Sequence, residues 1–258
     1  MFSLAAIAFF VGVLIGTVGI GGILLIPAIA AFTGMDTHEA MATALFSFIF
    51  TAVIGTYMFH RKGSIDWLIA MPICAGALVF GYLGALVNSL VNVLWLNIAL
   101  ALVIIFAGAY VLKPASGAGP FAFNRRSPMH LALLGSIGAV VGFISGLTGV
   151  GGPVLSVPIM VVLGFAPITA VATGQVIQVA AAGSGTVGNL IHGIIDFKAA
   201  SWLTVVQLAG LIIGIRFAHS IRSRHLRTLV AVVCIGVGGF LLARSLGQTM
   251  SLRGVTFF

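Results

Sequence analysis

The sequence predicts an all-α polytopic membrane protein built from two inverted-topology repeats. Composition is the first indication, because 60% of the 258 residues are hydrophobic and only 6% are charged. Apolar runs of about 20 residues, the length that crosses a ~30 Å hydrocarbon layer, recur along the chain. The third indication is an internal duplication in which both halves begin with a glycine-broken segment. We expect an integral, multi-pass protein in the lipid bilayer of a bacterial inner membrane.

The duplication covers most of the chain. Residues 11–112 align without a gap on residues 141–242, with 27 identities in 102 positions and glycine partners for ten of the first copy's twelve glycines. Self-similarity at a fixed offset indicates a repeat architecture. We therefore expect a first transmembrane repeat at 1–112, a cytoplasmic linker at 113–128 and a second transmembrane repeat at 129–258.

Each half contains four apolar segments. The eight segments are 2–33, 38–60, 66–88, 92–112, 129–164, 168–190, 197–219 and 225–245. The first, with 32 residues, would overshoot the hydrocarbon core by roughly half as one helix. Glycines in its middle cost on the order of 1 kcal/mol each in a helix interior. We therefore expect two short helices joined by an unwound glycine turn, which form a hairpin that either spans the membrane or re-enters it. Three spanning helices follow the hairpin in each repeat, which gives about ten helical segments in all.

The hairpin decides the topology. A single span per first segment gives parallel repeats, whereas a hairpin gives an odd number of crossings and inverts the second half. Inversion places nine basic residues on one side and three on the other, against eight and four for parallel repeats. The nine are Arg61, Lys62, Lys113, Arg125, Arg126, Arg216, Arg222, Arg224 and Arg227, and the three are Lys198, Arg244 and Arg253. We favour inversion, mainly because of the glycine break, with both termini outside the cytoplasm.

The matched glycine breaks indicate where a solute binds. Unwound backbone at membrane depth is tolerated only where protein or a water-filled cavity meets its polar groups, and paired breaks indicate the midplane site of a transporter. Helix N-termini after such turns suit small oxyanions. The backbone candidates are Gly21, Gly22, Gly151 and Gly152, with Gly19 and Gly149 of the same clusters. The alternative role for these glycines is close helix packing.

Polar residues within the spans are the side-chain candidates. Thr43 and Thr173 occupy matching positions after each hairpin, and Gln175 follows the second. Neutral donors can bind an anion without a buried lysine, or they can instead hold helices together. Asp66 and Asp196 also match, and each begins a helix, so N-capping is the default role and proton coupling the alternative.

Other function classes lack their motifs. No catalytic residue, cofactor or metal site is predicted, because the chain has four acidic residues and neither an H-E-x-x-H nor a G-x-S-x-G pattern. Cys74 and Cys234 lie in apolar runs and are not repeat partners, so neither a disulfide nor a metal site is indicated. The net charge of +8 comes from loops between apolar runs and sets topology, so no nucleic-acid partner is expected.

The chain resembles a known family at these motifs. The paired G-x-G-G breaks, Pro27 and Pro158 after them, and the Ala-x-Ala-Thr runs at 40–43 and 170–173 resemble the sulfite exporter TauE/SafE family over 11–242. The resemblance implies a permease, commonly an exporter, for small sulfur-containing anions such as sulfite, sulfoacetate and related organosulfonates. Ile23 and Pro153 depart from the family's pattern where a third consecutive glycine is often found, so the two halves of the site are expected to differ.

The combined expectation is a secondary transporter rather than an enzyme. It would export a small anion, bound between two inverted repeats, with a proton or another ion as the coupling partner. An anion channel, or a permease for another small solute, is the alternative.

Overall fold

The structure, a computed structural model, describes residues 2–87, 93–112, 127–192 and 195–252, and the regular structure in these ranges is entirely α-helical. The ten helices are α1 (Phe2–Val18), α2 (Gly22–Thr33), α3 (Thr37–Arg61), α4 (Trp67–Val87), α5 (Val93–Leu112), α6 (Pro128–Thr148), α7 (Pro153–Val162), α8 (Pro167–His192), α9 (Phe197–Ser220) and α10 (Ser223–Leu252). Helices α1–α5 lie within the expected first repeat and α6–α10 within the expected second, apart from the last linker residue, Pro128, which begins α6. The all-α prediction is confirmed. The expected linker lies outside the described residues except for its last two positions.

Helix ends follow the capping chemistry of the sequence. The Asp196 carboxylate accepts hydrogen bonds of 2.9 Å from the backbone N–H groups of both Lys198 and Ala199 at the start of α9. Asp66 accepts one of 3.2 Å from the N–H of Leu68 at the start of α4. Both aspartates therefore act as N-caps, as predicted.

The long first segment of each half is broken at the glycine cluster. Helix α1 ends at Val18 and α6 ends at Thr148, and each is followed by a left-handed glycine, Gly19 with φ 75° and Gly149 with φ 67°. Their N–H groups bond to the carbonyl oxygens of Ile15 at 3.1 Å and Ser145 at 2.8 Å. Such left-handed caps end a helix, which confirms the predicted breaks.

The chain reverses direction at the first break. A Cβ atom at Gly21 would lie 2.7 Å from the carbonyl oxygen of Val11 and 2.8 Å from Cγ1 of Ile15. A continuous helix would separate residues 11 and 21 by about 15 Å. Helix α2 therefore folds back along α1, and the two form the expected hairpin.

The two repeats exchange contacts reciprocally. Helix α1 packs along α9, and its repeat partner α6 packs along α4. Small residues allow the backbones to approach: Gly12 and Gly16 of α1 lie on the backbone of α9, and Gly138 and Gly142 of α6 lie on that of α4. This small-residue packing is typical of membrane helices, which gain little from burying apolar surface that lipid would cover equally well.

Repeat-equivalent helices in the centre run antiparallel. Gly55, late in α3, lies against Gln175, early in α8, while Gly185, late in α8, lies against Leu45, early in α3. Helices α5 and α10 cross in the same antiparallel sense.

Hydrogen bonds between the repeats identify the two ends of the bundle. At one end Ser64 Oγ lies 3.0 Å from Nε2 of His219, and the Arg227 Nε donates to the carbonyl of Val111 at 2.9 Å. The described basic residues near this end are Arg61, Lys62, Arg216, Arg222, Arg224 and Arg227. Lys198 and Arg244 lie toward the opposite end, at the start of α9 and late in α10.

The outer surface is apolar along the long helices. Within the described residues, helices α3, α4, α6, α9 and α10 are long and apolar enough to cross a membrane, and α1, α2 and α7 are shorter apolar helices. Phe106 is 73% exposed, Val205 68% and Phe10 57%. Large exposed side chains of this kind face lipid in a multi-pass membrane protein, so the protein is polytopic as predicted.

Candidate binding site

The two glycine breaks meet in the interior of the bundle. A Cβ atom at Gly22 would collide with the carbonyl oxygen of Val150, and one at Gly19 would lie 2.9 Å from Cγ2 of Val157 and 3.2 Å from Cβ of Pro153. All residues of 15–23 and 145–158 are buried. The meeting point is therefore closed to both lipid and water in this conformation.

Phe48 and Gln178 lie at this meeting point. They are repeat partners, separated by the 130-residue offset of the duplication, and they are 0% and 3% exposed. A Cβ atom at Gly22 would lie 3.0 Å from Cε2 of Phe48. One at Gly151 would lie 3.7 Å from Cδ2 of Phe48 and 3.7 Å from Nε2 of Gln178. Gly151 thus lies between an aromatic ring from α3 and an amide from α8.

The six candidate glycines differ in the space around them. Five of them are in tight contact with a neighbour. A Cβ atom at Gly19 would lie 2.9 Å from Val157, and one at Gly21 would lie 2.7 Å from Val11. At Gly22 it would collide with the carbonyl oxygen of Val150. At Gly149 it would lie 2.8 Å from Met41, and at Gly152 it would lie 2.9 Å from Ile177. At Gly151 the nearest atom would be 3.7 Å away. Close packing accounts for the first five, and Gly151 is the candidate at which a Cβ atom would meet its neighbours only at ordinary contact distance.

The two candidate threonines have different surroundings. The hydroxyl oxygen of Thr43 accepts a 3.2 Å hydrogen bond from the backbone N–H of Asp196, which ties α3 to the start of α9. Thr173 is fully buried and its hydroxyl has no hydrogen-bond partner. Its neighbour Gly174 lies against Pro153 and Val157, the residues that also contact Gly19. Helix α8 therefore packs on α7 at Gly174, next to Thr173, whereas Thr43 bonds to the start of α9.

Gln175 joins the second repeat to the end of α1. Its Nε2 donates to the carbonyl oxygen of Ile15 at 3.2 Å, and its Oε1, which faces Gly55, is buried without a partner. This amide holds the last turn of α1, immediately before the first break.

Further unpaired polar groups belong to the second repeat. The hydroxyls of Ser145 and Ser156 are buried without partners, and the first repeat has Ile15 and Ile26 at the matching positions. A buried polar group without a hydrogen bond costs roughly 1–3 kcal/mol, so each of these hydroxyls indicates a missing partner such as a ligand or water. The polar surface of the site is therefore one-sided.

The site is electrically neutral. Residues 15–23 and 145–158 contain no acidic or basic side chain. The N-cap residues of α2 and α7, Gly21 and Gly152, provide no side-chain cap for the first N–H groups of these helices. Hydroxyls, a carboxamide and uncapped helix N-termini favour a small anion over a cation. Within the described residues, no three His, Cys, Asp or Glu side chains group as metal ligands.

Neither Phe48 nor Gln178 was among the predicted binding residues, although Gln178 is one of the polar donors that follow Thr173 along the second repeat. The sequence nevertheless contained an indication of both residues. Gln178 follows Gln175 by about one helical turn on α8, and the repeat alignment pairs Gln178 with the aromatic residue Phe48. That they meet at the breaks depends on the crossing of α3 and α8, which the sequence does not specify.

A polytopic helical bundle whose two repeats bring paired helix breaks together in the interior has the architecture of a membrane transporter. The chain belongs to the sulfite exporter TauE/SafE family, whose model matches residues 4–241. The resemblance noted from the motifs is thus confirmed.

Curated relatives support the same class. The chain is 23% identical to "Probable membrane transporter protein YdhB" of Bacillus subtilis over 83% of this chain and 88% of the relative. It is 26% identical to "Probable membrane transporter protein YunE" of the same species, over 88% of this chain and 93% of the relative. A third relative, a probable membrane transporter protein of Methanocaldococcus jannaschii, is 25% identical over 93% and 94%. No solved structure matches the chain. The protein is a membrane transporter and not an enzyme, as expected.

Proposed function

We propose that the protein is a secondary transporter that exports a small sulfur-containing anion, such as sulfite or an organosulfonate. The observation that carries the proposal is the meeting of the two glycine breaks, where the missing side chain of Gly151 leaves a gap the size of one Cβ atom between Phe48 and Gln178. Family membership supports the sulfur-containing anion as cargo.

The unpaired polar groups of the buried interior suit an anion. Thr173, Ser145 and Ser156 have unpaired hydroxyls, and the N-termini of α2 and α7 begin at the breaks. The positive ends of these helix dipoles attract negative charge and repel positive charge. A small oxyanion would satisfy several of these groups at once and so recover the desolvation cost of leaving them unpaired.

Inverted topology is part of the proposal. The antiparallel crossing of α3 with α8 is the relation that a two-fold axis in the membrane plane imposes on equivalent helices. We assign the end that carries Arg61, Lys62 and the start of α10 to the cytoplasm, because basic loops remain inside. The start of α1 and the end of α10 then lie outside.

The closed interior favours a carrier over a channel. The meeting point of the breaks is buried, so a solute there would be enclosed until one side opens. Export would be coupled to a proton or another ion. Asp66 and Asp196 carry helix-capping bonds at the loops, so a coupled proton would be exchanged at the bundle ends rather than at the breaks.

The test is a ligand panel on the purified protein. A ligand that binds the folded state raises the thermal unfolding midpoint by mass action. Sulfite, sulfoacetate and methanesulfonate should raise it, whereas ethylammonium and divalent cations should not. Reconstituted vesicles should then show saturable sulfonate flux that is accelerated by sulfonate on the opposite side. Preferential stabilisation by the cations would refute the anion assignment, and non-saturable flux would refute the carrier mechanism.

A further inference from the structure

We propose that Gln178 and Phe48 determine how the anion is oriented and which anions are selected. In this proposal the Gln178 amide binds the charged group, and the Phe48 ring contacts a non-polar part of the same molecule. The inference rests on the proposed function, and it narrows the preferred substrate to small anions that carry a short non-polar group.

Gln178 places an amide beside the second break. It is 3% exposed. A carboxamide offers two N–H donors and an acceptor oxygen. A Cβ atom at Gly151 would lie 3.7 Å from its Nε2, an ordinary contact distance, so the missing side chain of Gly151 leaves room for one small group beside the amide. A ligand oxygen there would accept a hydrogen bond from Nε2.

Phe48 occupies the position of the first repeat that matches Gln178, and its side chain is apolar where that of Gln178 is polar. Its ring is fully buried, and one edge of the ring lies against both glycines, Cε2 near Gly22 and Cδ2 near Gly151. It offers an apolar surface where Gln178 offers donors. If the two repeats had the same residue at this position, the two halves of the site would be equivalent. With Gln178 in one repeat and Phe48 in the other, one half is polar and the other is apolar.

Other repeat-matched positions show the same asymmetry. Leu45 of the first repeat matches Gln175, and Ile15 matches Ser145. In each pair the polar residue belongs to the second repeat and is buried with an unpaired oxygen. The charged group is therefore expected on the side of the second repeat and the non-polar group on the side of Phe48.

This arrangement predicts a selectivity order. Sulfate has oxygens on all sides, so one of them would face the Phe48 ring. That oxygen would have no hydrogen-bond donor, because the ring offers none. Methanesulfonate and ethanesulfonate direct a methyl or ethyl group there instead. We expect ethanesulfonate to bind about tenfold more tightly than sulfate, the effect of one unpaired oxygen.

The experiment compares the wild type with two single variants in the same detergent. Gln178→Met keeps the length of the side chain and removes the amide, and it should weaken all sulfonates by about ten- to a hundredfold. Phe48→Gln places amides on both sides, and it should shift the ratio of ethanesulfonate to sulfate affinity at least about tenfold toward sulfate. Gln207→Leu is the matched control, because it removes a buried amide that bonds to Ser47 on α3.

The outcomes separate this inference from the proposed function. If the wild type binds no anion, the proposed function fails. If the wild type binds sulfonates and folded Gln178→Met binds them equally well, or if Phe48→Gln leaves the affinity ratio unchanged, the inference fails and the proposed function stands. The ratio for Phe48→Gln decides the question even if Gln178→Met does not fold.

Discussion

The hydroxyl of Thr43 and the hydroxyl of Thr173, its repeat partner, are not in equivalent environments. Thr43 accepts a 3.2 Å hydrogen bond from the backbone N–H of Asp196, whereas the Thr173 hydroxyl is buried without a partner. Two residues with the same sequence context therefore have different roles available to them. The bonded threonine stabilises a helix start, and the unpaired one can donate to a ligand.

Thr173→Val should weaken anion binding while leaving the protein folded. The change keeps the side-chain volume and removes a hydroxyl, so one anion oxygen loses its donor at a cost of about 1–3 kcal/mol. Affinity should fall roughly ten- to a hundredfold in a titration with methanesulfonate. Unchanged affinity would assign Thr173 to packing.

Thr43→Val is the matched counterpart, with the opposite expectation. It removes the acceptor for the Asp196 N–H, so stability should fall by about 1 kcal/mol. The thermal midpoint should drop, and methanesulfonate affinity should stay within about threefold of the wild type. A large loss of affinity with an unchanged midpoint would place Thr43 in the binding site instead.

Gly151→Ala and Gly22→Ala should separate a binding glycine from a packing glycine. At Gly151 a Cβ atom would find its nearest neighbours 3.7 Å away, although φ of +91° makes the change strained by about 1–3 kcal/mol. At Gly22 it would collide with the carbonyl of Val150. We expect Gly151→Ala to remain folded without binding, and Gly22→Ala to lose the folded state, as judged by size-exclusion chromatography and thermal unfolding.

The opposite pattern, a well-folded Gly22→Ala and a misfolded Gly151→Ala, would contradict the packing described for the two breaks. Substitution at Gly21 should resemble Gly22→Ala, because Gly21 packs on Val11 and Ile15 in the hairpin.

Gln175→Leu should act on stability. The change removes the bond to the carbonyl oxygen of Ile15, which keeps its bond from the N–H of Gly19. The expected loss is about 0.5–1.5 kcal/mol, visible as a lower thermal midpoint, with sulfonate affinity within about threefold. A tenfold or larger loss of affinity would make Gln175 a direct ligand contact.

Cysteine labelling tests the topology. In a background with Cys74 and Cys234 replaced by alanine, Ser64→Cys and Ser223→Cys should label from the cytoplasmic side, because both loops lie at the basic end of the bundle. Met35→Cys and Lys198→Cys should label from the opposite side, since Lys198 is exposed at the start of α9. Labelling of Ser64→Cys and Ser223→Cys from different sides would exclude inverted repeats.

Much of the fold was predictable because its determinants are local. A cluster of glycines destabilises a helix, so the breaks follow from the sequence. Asp66 and Asp196 cap the helices that begin after them, so these helix starts follow from the sequence as well. The hairpin follows from the length of the first segment. These features require no knowledge of which helices pack together.

The site was less predictable because its determinants are contacts between distant segments. Gly151 and Gly22 are indistinguishable in the sequence, and only the position of Val150 makes one of them a packing residue. In the same way, Phe48 becomes part of the site because α3 crosses α8 in front of the second break. The departures at Ile23 and Pro153 predicted that the two halves of the site differ, but which matched residues are buried without a hydrogen-bond partner depends on the packing.

The most direct test of the central claim, that a small anion binds where the two breaks meet, is sulfonate flux in vesicles containing the wild type or Gly151→Ala. With equal amounts of folded protein reconstituted, the wild type should transport methanesulfonate saturably and exclude ethylammonium, and Gly151→Ala should show no flux above empty vesicles. Equal methanesulfonate flux through the wild type and Gly151→Ala, or preferential transport of ethylammonium by the wild type, would contradict the claim.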